Sequence, residues 1–216
     1  MAPRDRHSKV NMKDISLIGF MGCGKSSVGK ILATLLPERG LIDLDTYIEE
    51  KQGKDIPEIF NEYGEAAFRR MEREALEEIF SDPARPRAIL SLGGGTVTSE
   101  PCRQLIRRHT DCFYLRASTD TLLGNLAGHS EGRPVLSSAQ PARFYAPAGT
   151  TTEETSKRNL VKKEALRDRI ESLMQARSPQ YLATAHHIID IDGQSFAQIA
   201  TLIKETVEYN IMNIKQ

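Results

Sequence analysis

The sequence predicts an α/β fold in which helices cover both faces of a parallel β-sheet. Short apolar runs of strand length alternate with segments of helical periodicity along the 216-residue chain, and this alternation is typical of consecutive β-α-β units. The hydrophobic content of 39% is enough for one sizeable core, so we expect a single domain. The strands are expected at residues 15–18, 41–44, 88–92, 112–115 and 187–191.

Helical periodicity predicts six helices between and after these strands. The first is expected at residues 25–36, where Val28, Ile31 and Leu35 fall on one stripe, as in a helix that packs on a sheet. The others are expected at residues 66–80, 101–108, 119–126, about 160–175 and about 196–212. Residues 134–156 interrupt the pattern with three prolines, and loops of that length are typically lids, binding loops or disordered segments.

Charge and cysteine content narrow the class of partner. Lys plus Arg and Asp plus Glu each number 29, so the formal net charge is zero and no overall field favours nucleic acid or anionic membranes. We therefore expect a small-molecule ligand. Cys23, Cys102 and Cys112 show no metal-ligand or disulfide spacing, which favours a reducing compartment, the cytoplasm. Residues 1–12 are charged and predict a flexible leader, and residues 13–216 the domain.

A phosphate-binding motif lies between the first strand and the first helix. Residues 19–26 read G-x-x-x-x-G-K-S, in which glycines let backbone N–H groups and a helix N-terminus face phosphate oxygens. Lys25 would reach the β- and γ-phosphates of ATP and Ser26 would bind Mg²⁺ directly. We read Cys23 as a small residue that fits the loop rather than as a redox switch. The predicted ATP-binding residues here are Gly22, Cys23, Gly24, Lys25, Ser26 and Ser27.

A second group of residues predicts the site of the phosphate acceptor. Asp43 and Asp45 are two residues apart at the end of a strand and would point to the same side, unless one or both cap the next helix. Arg69 and Glu72 are three apart on a predicted helix and can pair. Three glycines follow a strand at residues 93–95 and can bring bare amides against an anion or hydroxyl. Taken singly, these are also features of a solvated helix and of a turn.

The ordered set of motifs resembles the shikimate kinase family. It comprises "GFMGCGKS", "DLDT", "FRRME", "SLGGG", "GRPVL" and "ARSPQY", and the resemblance extends from about residue 15 to 207. It implies a three-layer α/β/α P-loop NTPase fold with a five-stranded parallel sheet, an acceptor-binding region at about residues 46–80 and a mobile lid at about residues 129–156. It also implies transfer of the γ-phosphate of ATP to the 3-hydroxyl of shikimate with Mg²⁺, by a monomer, on the pathway to chorismate and aromatic amino acids.

The resemblance also implies individual roles. Asp45 would bind and help to activate the acceptor hydroxyl, while Asp43 would order the Mg²⁺ shell through water. Arg133 would be a lid arginine that reaches both the transferred phosphate and the acceptor, and would complete a catalytic set with Lys25 and Asp45. The residues implied to bind or orient the acceptor are Phe60, Phe68, Arg69, Glu72, Gly93, Gly94, Gly95 and Arg177.

The chain departs from the family pattern at two points, and two alternative functions stay open besides. The family commonly has an arginine near the adenine, shortly before the lid arginine, where this chain has Leu126. The segment at residues 134–156 is also longer than is usual. The alternatives are a related kinase for another hydroxy acid, such as gluconate, and a catalytically silent nucleotide-binding regulatory module.

Overall fold

The computed structural model describes residues 13–126 and 152–214, and the side chains of residues 152–160, 162 and 214 are not described. The predicted leader and residues 129–151 of the predicted lid, including Arg133, lie outside the described residues. The described elements are β1 (Asp14–Ile18), α1 (Lys25–Leu35), β2 (Gly40–Asp43), α2 (Leu44–Gln52), α3 (Ile56–Ser81), β3 (Ala88–Ser91), α4 (Glu100–His109), β4 (Thr110–Arg116), α5 (Thr119–Leu126), α6 (Thr152–Thr184), β5 (His187–Asp190) and α7 (Phe196–Ile214).

The five strands form one parallel sheet in the order β2-β3-β1-β4-β5. In the central strand β1, all five residues are buried, as expected for a parallel sheet with helices on both faces. Ile15 and Leu17 join the core on one face, while Ile18 joins the core on the other. The predicted α/β fold with a five-stranded parallel sheet is therefore confirmed.

Helices form a layer on each face of the sheet. On one face, Val28 and Leu32 of α1 pack with Ile199 and Ile203 of α7. On the other, α3 and α4 contribute residues such as Leu76 to a second apolar core. Among the described residues, no helix is long and apolar enough to span a membrane.

On the acceptor side of the fold, the observed helices differ most from the helices that periodicity predicted. Helix α2 was not among them, and α3 begins at Ile56 rather than at residue 66. The start of α3 has a capping box, in which Asp55 accepts from the Glu58 backbone and Glu58 accepts from that of Asp55, a recognised helix start signal. Gly64 has φ 77° and ψ 171°, so α3 is two helical segments joined at a kink.

Helix α6 is also longer than its pattern predicts. It extends over 33 residues with Pro179 inside it, whereas periodicity indicated only about residues 160–175. Its first residues, 152–156, fall at the end of the predicted lid segment. The extension beyond residue 175 matters for the site because it places Arg177 on a helix rather than on a loop.

Candidate active site

The phosphate-binding loop lies at the carboxyl end of β1, where ligands of open α/β sheets bind. Gly22 and Gly24 have φ of 84° and 90°, a conformation that side chains with a Cβ rarely adopt. The ammonium of Lys25 donates hydrogen bonds to the carbonyls of Gly19 at 2.9 Å and Phe20 at 3.0 Å. It thus lies within the loop, at the N-terminus of α1, where the helix dipole favours anions.

Two residues near this loop have fully buried side chains. The side chain of Cys23 lies in the core, as expected for a small residue that fits the loop, and its N–H donates to the carbonyl of Phe20. Leu126, at the position of the family's adenine-contacting arginine, is also fully buried, and packs against Gly22. Gly22, Gly24, Lys25, Ser26 and Ser27 all line the cleft.

Oxygen atoms suited to a hard cation gather beside the loop. The Ser26 hydroxyl donates to Asp43 at 2.7 Å and lies 3.2 Å from the Ser91 hydroxyl. Asp43 also accepts a hydrogen bond from the backbone of Asp45 and caps α2. The prediction that both aspartates project from one strand was wrong, because β2 ends at Asp43 and Asp45 lies in the first turn of α2. Both nevertheless line the same cleft.

Asp45 lies between the phosphate loop and the glycines that follow β3. A Cβ added to Gly93 would be only 3.0 Å from carboxylate oxygens of both Asp45 and Glu72. Burial raises the pKa of Asp45 to about 6, helped by the charges of Glu72 and Asp43 and opposed by that of Lys25. A carboxylate with such a pKa changes its protonation state near physiological pH, as a general base requires.

Glu72 orients the guanidinium group of Arg69. Its Nη1 donates to Glu72 at 2.6 Å, and the buried Glu72 accepts a second hydrogen bond from Thr96. Although burial lowers the pKa of the Arg69 guanidinium, the Glu72 and Glu65 carboxylates outweigh this effect and raise the pKa above its ordinary value. Arg69 is therefore a permanent cation at the edge of the cleft.

The three glycines bring bare backbone against these groups. A Cβ on Gly95 would lie 2.3 Å from Nη2 of Arg69, and one on Gly94 would lie 3.0 Å from the backbone nitrogen of Met21. The buried Arg177 reaches the same turn from α6, where its Nη1 lies 3.4 Å from the Gly94 carbonyl. Only glycine leaves room for Arg69 beside position 95 and for the Met21 backbone beside position 94. Gly93 is similarly close to Asp45 and Glu72, so each of the three glycines has a structural reason.

One cleft of about 780 Å³ joins all these groups. Phe60 and Phe68 form an aromatic wall near Arg69, with ring centroids 4.8 Å apart. The structure brings together almost every described residue that sequence reasoning assigned to donor or acceptor. The predicted residues that line the cleft are Gly22, Gly24, Lys25, Ser26, Ser27, Asp43, Asp45, Phe60, Phe68, Arg69, Glu72, Gly93, Gly94, Gly95 and Arg177.

Sequence reasoning missed two residues at the donor end of the cleft. Phe196 begins α7 and lies against Gly24, so that a Cβ there would be 2.4 Å from its ring. Asn125 lines the cleft and donates to the carbonyl of Gly22 at 2.8 Å. Phe196 follows β5 at the carboxyl edge of the sheet, and this position was the signal available in the sequence.

Fold and site together define a P-loop kinase, an ATP-dependent phosphotransferase that acts on a small molecule. The family model "Shikimate kinase" matches residues 21–208. A shikimate kinase of Dictyoglomus turgidum is 35% identical over 191 residues, which cover 88% of this chain and 95% of the relative. The chain therefore belongs to the shikimate kinase family.

Solved structures show the same relationship. The shikimate kinase of Acinetobacter baumannii in complex with shikimate has a TM-score of 0.71 and 29% identity, covering 92% of this chain and 94% of its own. The enzyme of Bacteroides thetaiotaomicron has a TM-score of 0.71 at 28% identity, covering 91% and 99%. A gluconokinase of Sinorhizobium meliloti has a TM-score of 0.51 and 14% identity, covering 94% and 95%, and that likeness concerns the fold alone.

Proposed function

We propose that this chain transfers the γ-phosphate of ATP to the 3-hydroxyl of shikimate and releases ADP and shikimate 3-phosphate. The observation that carries the proposal is that Asp45, the phosphate loop, Arg69 and Arg177 all line one cleft. The phosphate loop suits the donor. Two guanidinium groups beside a row of glycines suit a small hydroxylated carboxylic acid.

The donor end is assigned to the loop and its oxygen ligands. Lys25 and the N-terminus of α1 hold phosphate oxygens, and Ser27 lies beside them in the same turn. The Ser26 hydroxyl fits Mg²⁺ as a direct ligand and Asp43 fits it through water, because hard oxygen ligands lie together there. Mg²⁺ when bound neutralises charge on the phosphates. Arg133 is assigned to the transferred phosphate from the sequence alone.

Phosphoryl transfer follows from the placement of Asp45. Its carboxylate accepts the proton of the acceptor hydroxyl as that oxygen bonds to the γ-phosphorus, and the bond from phosphorus to the leaving oxygen of ADP breaks. Arg69 and Arg177 fix the acceptor through its carboxylate, so the hydroxyl is oriented before it reacts. The aromatic wall formed by Phe60 and Phe68 excludes water from one side of the ring.

The pKa of Asp45 predicts the acid limb of the pH profile. The base must be ionised to accept a proton, so kcat/KM for shikimate should fall about tenfold per pH unit below a pKa of about 6. Above pH 7, Asp45 should no longer limit the rate. The measurement is a series of initial rates from pH 5 to pH 8.5 with both substrates well below their KM, so that the profile reports the free enzyme. An acid limb with an apparent pKa near 4 would contradict the assignment.

The contact between Gly95 and Arg69 predicts how a small displacement of Arg69 affects shikimate binding. Gly95→Ala would place a methyl group where Nη2 of Arg69 lies, and the flexible arginine would shift rather than the backbone. We expect KM for shikimate to rise about tenfold, as for the loss of one charge-assisted hydrogen bond, with KM for ATP unchanged. Gly40→Ala is the matched control, because Gly40 is exposed at the start of β2, has no positive φ and leaves open space for a Cβ.

The decisive experiment separates the proposed activity from its two alternatives. The purified chain is incubated with MgATP and shikimate, gluconate or no acceptor, and ADP release is followed by a coupled assay. Mass spectrometry identifies the phosphorylated product. The proposal requires shikimate-dependent ADP release that gluconate does not support. Preference for gluconate would indicate the related kinase, and nucleotide binding without turnover would indicate the regulatory module.

A further inference from the structure

Arg69 is held by two carboxylates of very different character. Glu72 is fully buried, whereas the side chain of Glu65 is 57% exposed and accepts a hydrogen bond from Nη2 of Arg69 at 2.9 Å. Among the described residues, that is the one hydrogen bond of Glu65. Glu72 therefore belongs to the fixed support of the arginine, while Glu65 is free to exchange with water.

The exposed carboxylate occupies the part of Arg69 best suited to a ligand. Nε and Nη2 share one edge of the guanidinium plane, and their parallel N–H groups can bind both oxygens of one carboxylate. Glu65 engages Nη2 on this edge. Nε is buried and has no hydrogen-bond partner in the described part of the chain. Glu65 therefore uses only one of the two donors on this edge of Arg69 and leaves Nε unpaired. The edge could bind a carboxylate more completely than Glu65 does.

We propose that Glu65 is a placeholder for the carboxylate of the substrate. It holds Nη2 of Arg69 when no acceptor is bound, and it moves into solvent when the acceptor carboxylate takes Nη2 and Nε together. The proposal rests on the proposed function, because it requires an acceptor with a carboxylate at Arg69. It adds a residue that lowers affinity and keeps Nη2 of Arg69 paired between turnovers.

Charge and backbone geometry both favour this exchange. If Glu65 stayed, three carboxylates would surround the single cation of Arg69, and like charges at that distance repel. Glu65 directly follows the kink at Gly64 and thus lies in the first turn of the second segment of α3. A carboxylate at such a helix N-terminus is stabilised by the helix dipole even without an ion pair, so Glu65 keeps part of its stabilisation when it leaves Arg69.

The test is the Glu65→Gln variant, which keeps the size of the side chain and removes its charge. Because exposed ion pairs of this spacing contribute little, we expect the Kd for shikimate to fall only about two- to fivefold. KM for shikimate should fall in parallel, with KM for ATP unchanged. Binding is measured by calorimetry, and Glu62→Gln is the matched control, since Glu62 lies on the same helix but pairs with Lys54.

A shikimate derivative that lacks the carboxylate charge distinguishes the displacement of Glu65 from other effects of the substitution on the site. The methyl ester of shikimate cannot displace Glu65 as an anion, so its affinity, measured by ligand-observed NMR, should be equal in wild type and Glu65→Gln. Unchanged or weaker binding of shikimate by Glu65→Gln would overturn the placeholder alone. A wild-type chain that binds no shikimate would overturn the proposed function and the placeholder with it.

Discussion

Replacing Asp45 by asparagine should lower kcat with shikimate about a hundredfold or more, because the acceptor hydroxyl loses its proton acceptor. The affinity for MgATP should change little, since the contacts of Lys25 and Ser26 do not involve Asp45. Initial rates and nucleotide titrations measure the two effects. Asp168→Asn, an exposed position on α6, is the matched control. Retention of normal kcat by Asp45→Asn would show that another group accepts the proton.

The same variant should be more stable than the wild type above pH 6. The pKa of Asp45 is raised from 3.8 to about 6 on folding, so the ionised carboxylate destabilises the folded state. Below about pH 4 both states are protonated and the penalty vanishes; it grows between pH 4 and pH 6 and is complete above pH 6. The shift corresponds to roughly 3 kcal/mol.

Urea unfolding of the ligand-free proteins at pH 4, 5, 6 and 8 measures this penalty. Asp45→Asn should gain in the free energy of unfolding over the wild type as the pH rises. A gap that is constant with pH would mean that the substitution acts through packing. A variant that is both inactive and more stable would show that Asp45 is retained at a cost to stability.

Replacing Arg177 by lysine should weaken shikimate binding about tenfold to a hundredfold, the range for loss of a hydrogen bond to a charged group. Lysine keeps the charge but replaces a planar fork of donors by a point charge, so it cannot grip both carboxylate oxygens. ATP binding should be nearly unchanged, because Arg177 lies at the acceptor end beside Gly94. Calorimetric titration of each substrate measures the difference.

Arg167→Lys is the matched control for this variant. Arg167 is on the same helix, but its side chain is 39% exposed and pairs with Asp120 and Glu171. The control should bind both substrates as the wild type does. Equal losses of shikimate and ATP affinity in Arg177→Lys would indicate that the substitution disturbs α6 as a whole, since Arg177 is itself buried.

The strands and the donor loop could be predicted from local sequence because their determinants are local. Apolar runs such as residues 15–18 form strands that are buried on both faces, and the glycine spacing of residues 19–26 is a backbone requirement within one turn. The helices on the acceptor side were less predictable. Helix α2 spans only nine residues with few apolar positions, too short and polar for periodicity to indicate.

Sequence alone determined which residue types line the cleft, because the ordered motifs place cations, carboxylates and glycines after successive strands. Only the tertiary structure decided which atoms face the cleft. It turned the side chain of Cys23 into the core and placed Phe196 against the phosphate loop. The contact of Phe196 joins elements that are distant in the chain, and spacing along the sequence does not encode such distances.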